Sequence, residues 1–68
     1  MLGLETKLSK AWEGKSAQEL ADAPVTAIQG VSEDDAAHLL KAFGIKTVRD
    51  LGTNKFFRWA QSITTLAG

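Results

Sequence analysis

Ile28-Gln29-Gly30-Val31-Ser32-Glu33-Asp34-Asp35-Ala36-Ala37-His38-Leu39-Leu40-Lys41-Ala42-Phe43-Gly44-Ile45-Lys46-Thr47-Val48-Arg49-Asp50-Leu51 is the stretch on which the fold turns. It carries two similar units. In each, a glycine, an apolar residue and a hydroxyl residue precede an acid-bearing helix start. Ser32 caps a helix whose first turn holds Glu33, Asp34 and Asp35, and these acids complement the positive end of the helix. Ala36, Leu39, Leu40 and Phe43 form the apolar stripe of that helix, and Gly44 ends it in a left-handed cap. Thr47 caps a second, shorter helix, with Asp50 three residues on and with Val48 and Leu51 facing inward.

Helix punctuation continues on both sides. Leu4, Leu8, Ala11 and Trp12 recur at i, i+4, i+7 and i+8, which predicts an N-terminal helix stopped at Gly14. Ser16-Ala17-Gln18-Glu19 matches a capping box and predicts a short helix to about Asp22. Pro24 suits the first turn of a further short helix, with Val25 and Ile28 buried. Gly52-Thr53-Asn54 is a break, and the last helix is expected from about Lys55 to Leu66. No run alternates at period two, so strands are not expected. The reading is an all-α domain spanning residues 1–68: a small bundle of short helices with a longer C-terminal helix packed across it. The expected core is Leu39, Leu40, Phe43, Ile45, Val48, Leu51, Phe56, Ala60 and Ile63.

The quoted stretch resembles the helix-hairpin-helix superfamily, most sharply over Phe43-Gly44-Ile45-Lys46-Thr47-Val48-Arg49-Asp50-Leu51. The resemblance covers about residues 24–54. It implies a hairpin in which Gly30 permits the turn, Val31 plugs the angle between helices, and Ala36 and Ala37 allow close approach. It also implies one candidate role, sequence-independent binding of a nucleic-acid backbone through hairpin amides. Two departures weigh against that role. Ser32 stands where binding members usually have a second glycine, and Glu33, Asp34 and Asp35 stand where a phosphate would sit. A like-charge pair at 4 Å costs about 1 kcal/mol in water and more where water is excluded.

Composition narrows the function classes. The chain has 68 residues, with eight Lys+Arg against eight Asp+Glu and no cysteine. Disulfides and thiolate metal sites are excluded, and one histidine cannot build a multi-histidine site. His38, with Asp34 one turn before it, reads as an exposed side chain with an acidic neighbour. No nucleophile–base pair, metal set or cofactor loop is present, so catalysis, metals and cofactors are not expected. There is no long apolar run, and the first residues lack a signal peptide's pattern, so a cytoplasmic protein without a membrane partner is expected.

Two surface readings remain. Phe56, Phe57 and Trp59 place three of the five aromatics within four residues. At about 100° per residue, Phe56, Ala60, Ile63 and Ala67 form the centre of an apolar face, with Phe57 and Leu66 at its edges. The centre is expected in the core. Phe57, Trp59 and Trp12 are the candidate contact residues for a protein partner or a second copy. The alternative is a nucleic-acid surface built from Lys46, Arg49, Lys55 and Arg58. Zero net charge does not favour it.

Overall fold

The computed structural model describes residues 5–68. Among them are four α-helices and no strand: α1 (Ala17–Ala21), α2 (Glu33–Phe43), α3 (Val48–Thr53) and α4 (Lys55–Ala67). Short 3-10 turns fill Glu5–Lys7, Lys10–Trp12 and Val25–Ala27.

The helix starts form as their sequences direct. Ser16, Ser32 and Thr47 each head a complete capping box. In the first, the Ser16 hydroxyl accepts from the Glu19 amide at 3.1 Å, and the Ser16 amide donates to the Glu19 carboxylate at 3.0 Å. Asn54 both closes α3 and opens α4, where its side-chain oxygen accepts from the Phe56 and Phe57 amides. Such caps satisfy backbone donors that no residue inside the helix can reach.

Gly44 decides how the chain leaves α2. It sits at φ +70°, a conformation that costs any residue with a side chain. Its amide donates to the Leu40 carbonyl at 2.9 Å, and the next amide, of Ile45, folds back to Leu39 at 3.3 Å. That reversal drops Ile45 into the centre of the molecule, where only 2% of it remains exposed.

The core is small. It consists of Leu20 from α1, Ala23, Val25 and Ala27 from the following segment, and Ile45. Backbone pairing holds these segments together. Val25 donates to Lys46 at 3.2 Å and Val48 to Ala23 at 2.9 Å, which fastens the 3-10 turn to the start of α3. α3 in turn packs against α1, this turn and α4, while α2 packs on the turn.

Three expectations are corrected. First, the N-terminal helix does not form over the described residues, and Leu4 lies outside them. Leu8 instead pairs with Ile28, Ser9 donates to Ala27 at 2.7 Å, and Gln29 donates to Lys7 at 2.8 Å. The Ser9 hydroxyl adds a bond to the Thr26 carbonyl at 2.7 Å. These partners fix Ser9 as extended backbone, which interrupts the helical period between the two 3-10 turns.

Second, the core was expected in the wrong helices. Of the nine residues named for it, Ile45 alone is fully buried. Leu39, Val48 and Leu51 are half-buried, and Leu40, Phe43, Phe56, Ala60 and Ile63 are exposed. Val25 is buried as expected, whereas Ile28 is only half-buried. Third, α4 does not lie across the hairpin. Only its Phe57 is half-buried, and every other residue of the helix is exposed. The radius of gyration is 12.7 Å, against about 11 Å for a compact chain of this length.

Candidate interaction surface

α4 is tethered through its first two turns. Phe57 packs edge-on against Phe43, with ring centroids 5.5 Å apart, and Phe56 lies tilted 6.3 Å from the same ring. Phe56 then meets Trp59 edge-on at 5.8 Å. Edge-to-face pairs of this kind bring the positive rim of one ring to the negative face of the next. The three contacts order four rings into one cluster that runs from the end of α2 onto α4.

Beyond that cluster the helix keeps an apolar stripe. Trp59, Ile63 and Leu66 are 58%, 67% and 88% exposed. Together with Phe56, Ala60 and Ala67 they occupy one third of the helix circumference. The stripe is centred roughly 120° away from Phe57, the residue turned toward the body of the protein. Leu40 and Phe43 continue the exposed apolar surface onto α2. The far turns of α4 thus present their apolar side to solvent. Their other side carries Gln61, Thr64 and Thr65, and the two threonine hydroxyls donate to carbonyls one turn earlier at 2.9 Å.

Lys55 borders the stripe. Its Nζ lies 5.1 Å from the Phe56 ring centroid and 5.9 Å from that of Trp59, within cation–π range of both. The ammonium therefore stands at the margin of the apolar surface.

The residues singled out from sequence are only partly brought together. Trp59 is exposed within the ring cluster. Phe57 is half-buried and serves as an anchor to Phe43, so the exposed position passes to its neighbour Phe56. Trp12 is half-buried in the Lys10–Trp12 turn, and its ring pairs with none of the four clustered rings. Sequence reasoning missed Leu40, Phe43, Phe56 and Ile63 as surface residues because it placed them in the core. The available signal was size: a chain this short has too few partner elements to cover two apolar helix faces.

The four basic residues stand differently. Arg49 donates through Nε to Asp22 at 3.1 Å in an exposed ion pair, and Lys55 lies over the rings. The helix start beside Lys46 is already filled by the protein's own acid. Asp50 Oδ2 accepts from the Lys46 amide at 3.0 Å and the Thr47 amide at 3.2 Å, and Thr47 Oγ1 accepts from the Asp50 amide at 3.0 Å. The amides of Lys46 and Thr47, foremost, hold the Asp50 carboxyl below its usual range. At the start of α2, Asp35 accepts from the Ser32 amide at 3.2 Å, and Ser32 Oγ accepts from the Asp35 amide at 3.1 Å. His38 is exposed on α2. Among the described residues no cluster of His, Cys, Asp or Glu is arranged to hold a metal, and no helix is long and apolar enough to cross a membrane.

No protein-family model matches the chain, and neither a curated protein nor a solved structure shows significant similarity to it.

Proposed function

We propose that the protein is a non-enzymatic protein-interaction module that docks through the exposed stripe of α4 and the adjoining Phe43. One observation carries the reading. An ordered cluster of four rings opens onto a helix whose apolar side faces solvent, with Trp59, Ile63 and Leu66 mostly uncovered. A patch of this kind on a small soluble domain marks a contact surface. Its aromatic content at the α2–α4 junction is the composition found where binding energy concentrates. Docking of one amphipathic helix through i, i+3/i+4 and i+7 anchors is an established recognition mode.

The resemblance to helix-hairpin-helix domains makes nucleic-acid binding the competing role, but the electrostatics support the protein-contact reading. The Ser32 amide ahead of α2 and the Lys46 and Thr47 amides ahead of α3 already donate to Asp35 and Asp50. A phosphate would have to displace a carboxylate at each. Across the chain eight Lys and Arg are balanced by eight Asp and Glu, so net charge supplies no basic footprint of a polyanion binder.

The test is photo-crosslinking in the cell that makes the protein. A benzophenone amino acid replaces Trp59 in one variant and His38, exposed on α2, in another. Protein adducts are expected at position 59 and not at position 38, and they should disappear when Ile63→Asp is added. Equal adduct yield at both positions, or none at 59, would refute the assignment.

A further inference from the structure

We infer that the occupant of the α4 stripe is a second copy of this chain, its α4 lying antiparallel to the first. This rests on the preceding reading and names the partner. The argument has three parts: register, charge and area.

Register comes first. With 1.5 Å of rise per residue, a twofold axis level with Gln61 sets Phe56 opposite Leu66 of the other copy and Trp59 opposite Ile63 of the other copy. Each large aromatic then faces an aliphatic side chain across the seam. Ala60, next to the axis, lets the helices approach closely, since the side chains at the contact set the spacing between axes. The same stripe in a parallel pair sets Trp59 against Trp59 and Phe56 against Phe56, and leaves Leu66 against Leu66 at the far end.

Charge selects the same orientation. Lys55 and Arg58 lie in the first turn of α4, and no acid accompanies them there. Cations at that end oppose the dipole of their own helix. Antiparallel pairing brings Lys55 level with Ala67 of the other copy, at the carbonyl end where a cation is favoured. Parallel pairing would stack Lys55 on Lys55 and align the two dipoles. A chain with zero net charge meets no long-range repulsion from its copy.

Area is sufficient for a reversible dimer. An aromatic side chain carries ~150–250 Å2, and Phe56, Trp59, Ile63 and Leu66 are each more than half exposed. The stripe therefore offers about 500 Å2 per copy, which reaches the roughly 1,000 Å2 total where specific interfaces begin.

The absence of cysteine makes the test clean. Lys55→Cys and Ala67→Cys chains are prepared separately, mixed and oxidised gently. The antiparallel dimer gives a 55–67 disulfide between unlike chains, on the order of 10²-fold faster than 55–55 coupling, because pairing raises the local concentration of those thiols. Light scattering on the unmodified chain should approach twice 7.3 kDa as concentration rises. Ile63→Asp should return it to the single mass with the cooperative urea transition of the core retained, since Ile63 is outside the core.

Predominant 55–55 coupling would overturn the antiparallel arrangement. A single-chain mass at millimolar concentration would overturn the second copy as occupant. In that case, adducts at position 59 with a different protein would leave the contact surface standing and exclude only self-pairing. Loss of those adducts as well would remove both.

Discussion

Two isoleucines that look alike in sequence should behave oppositely on truncation. Ile45 is 2% exposed beside Val25 in a five-residue core, and Ile63 is 67% exposed on α4. Ile45→Ala removes three buried carbons worth about 2.5 kcal/mol by transfer, and the cavity left behind raises the cost to about 3–4 kcal/mol. A domain of this length has roughly 3–10 kcal/mol of total stability, so this one change should unfold much of the population. For Ile63→Ala, most of the deleted surface is already in water. The small packing loss is offset by the better helix propensity of alanine, leaving a change within about 0.5 kcal/mol. Urea titration and thermal melting, both followed by circular dichroism, measure the two changes at a concentration where light scattering returns the single-chain mass. Ile45→Ala should lower the melting temperature by about 15–25 °C, and Ile63→Ala should leave it nearly unchanged. A cost for Ile63→Ala equal to that for Ile45→Ala in dilute solution would mean that the α4 stripe is packed inside, and the surface assignment would fall with it.

The remaining expectations concern backbone and charge. Gly44→Ala should cost about 1–2 kcal/mol, because φ is +70° there although open space surrounds the site. Gly52→Ala, inside α3 with nothing within 4 Å of a new Cβ and no positive φ, should stabilise by about 0.5–1 kcal/mol. Thr47→Ala removes the acceptor for the Asp50 amide and should cost about 1 kcal/mol in urea titration. The Asp50 carboxyl is held below its usual range in the folded chain by the Lys46 and Thr47 amides. Its stabilising effect is therefore present above the ordinary aspartate pKa and is lost as pH falls through the depressed value; Asp50→Asn should flatten that acid limb of the melting curve. Labelled duplex DNA at about 50 mM salt, where electrostatic affinity is greatest, should show no anisotropy change with micromolar protein, and saturable salt-sensitive binding would reverse the functional reading.

The capped helix starts were legible in the sequence because capping is a local interaction, whereas the break expected from Gly52 falls only at Asn54. Ser16 with Glu19, Ser32 with Asp35 and Thr47 with Asp50 each lie three residues apart, and each pair forms the reciprocal bonds that this spacing allows. Gly44 was legible for the same reason. The orientation of the helices was not. Periodicity shows that α2 and α4 have apolar sides, and it is silent on whether anything in the chain covers them. The 3.6-residue pattern around Leu8 and Trp12 was overridden by backbone pairing with Ala27 and Gln29, residues almost twenty positions away. The candidate site was half legible. The aromatic density at 56–59 marked where the ring cluster forms, but the face assumed to be core is the one that meets solvent.

The exposed stripe and the length of α4 belong to a single thermodynamic problem. The helix is secured at its start, where Asn54 caps two amides and Phe56 and Phe57 meet Phe43. Past Ala60, no side chain is buried against the rest of the protein. A helix of thirteen residues is near the limit at which an isolated segment holds its shape in water. Under the proposed docking, its far turns would gain most of their stabilisation from the partner that covers Ile63 and Leu66. Ordering those turns and docking the stripe reinforce each other, since each supplies part of the free energy that the other lacks. Docking as proposed would be weakened by the cost of fixing the far turns, so the association would be reversible. A substitution that strengthens the isolated helix on its polar side would tighten binding without touching the interface.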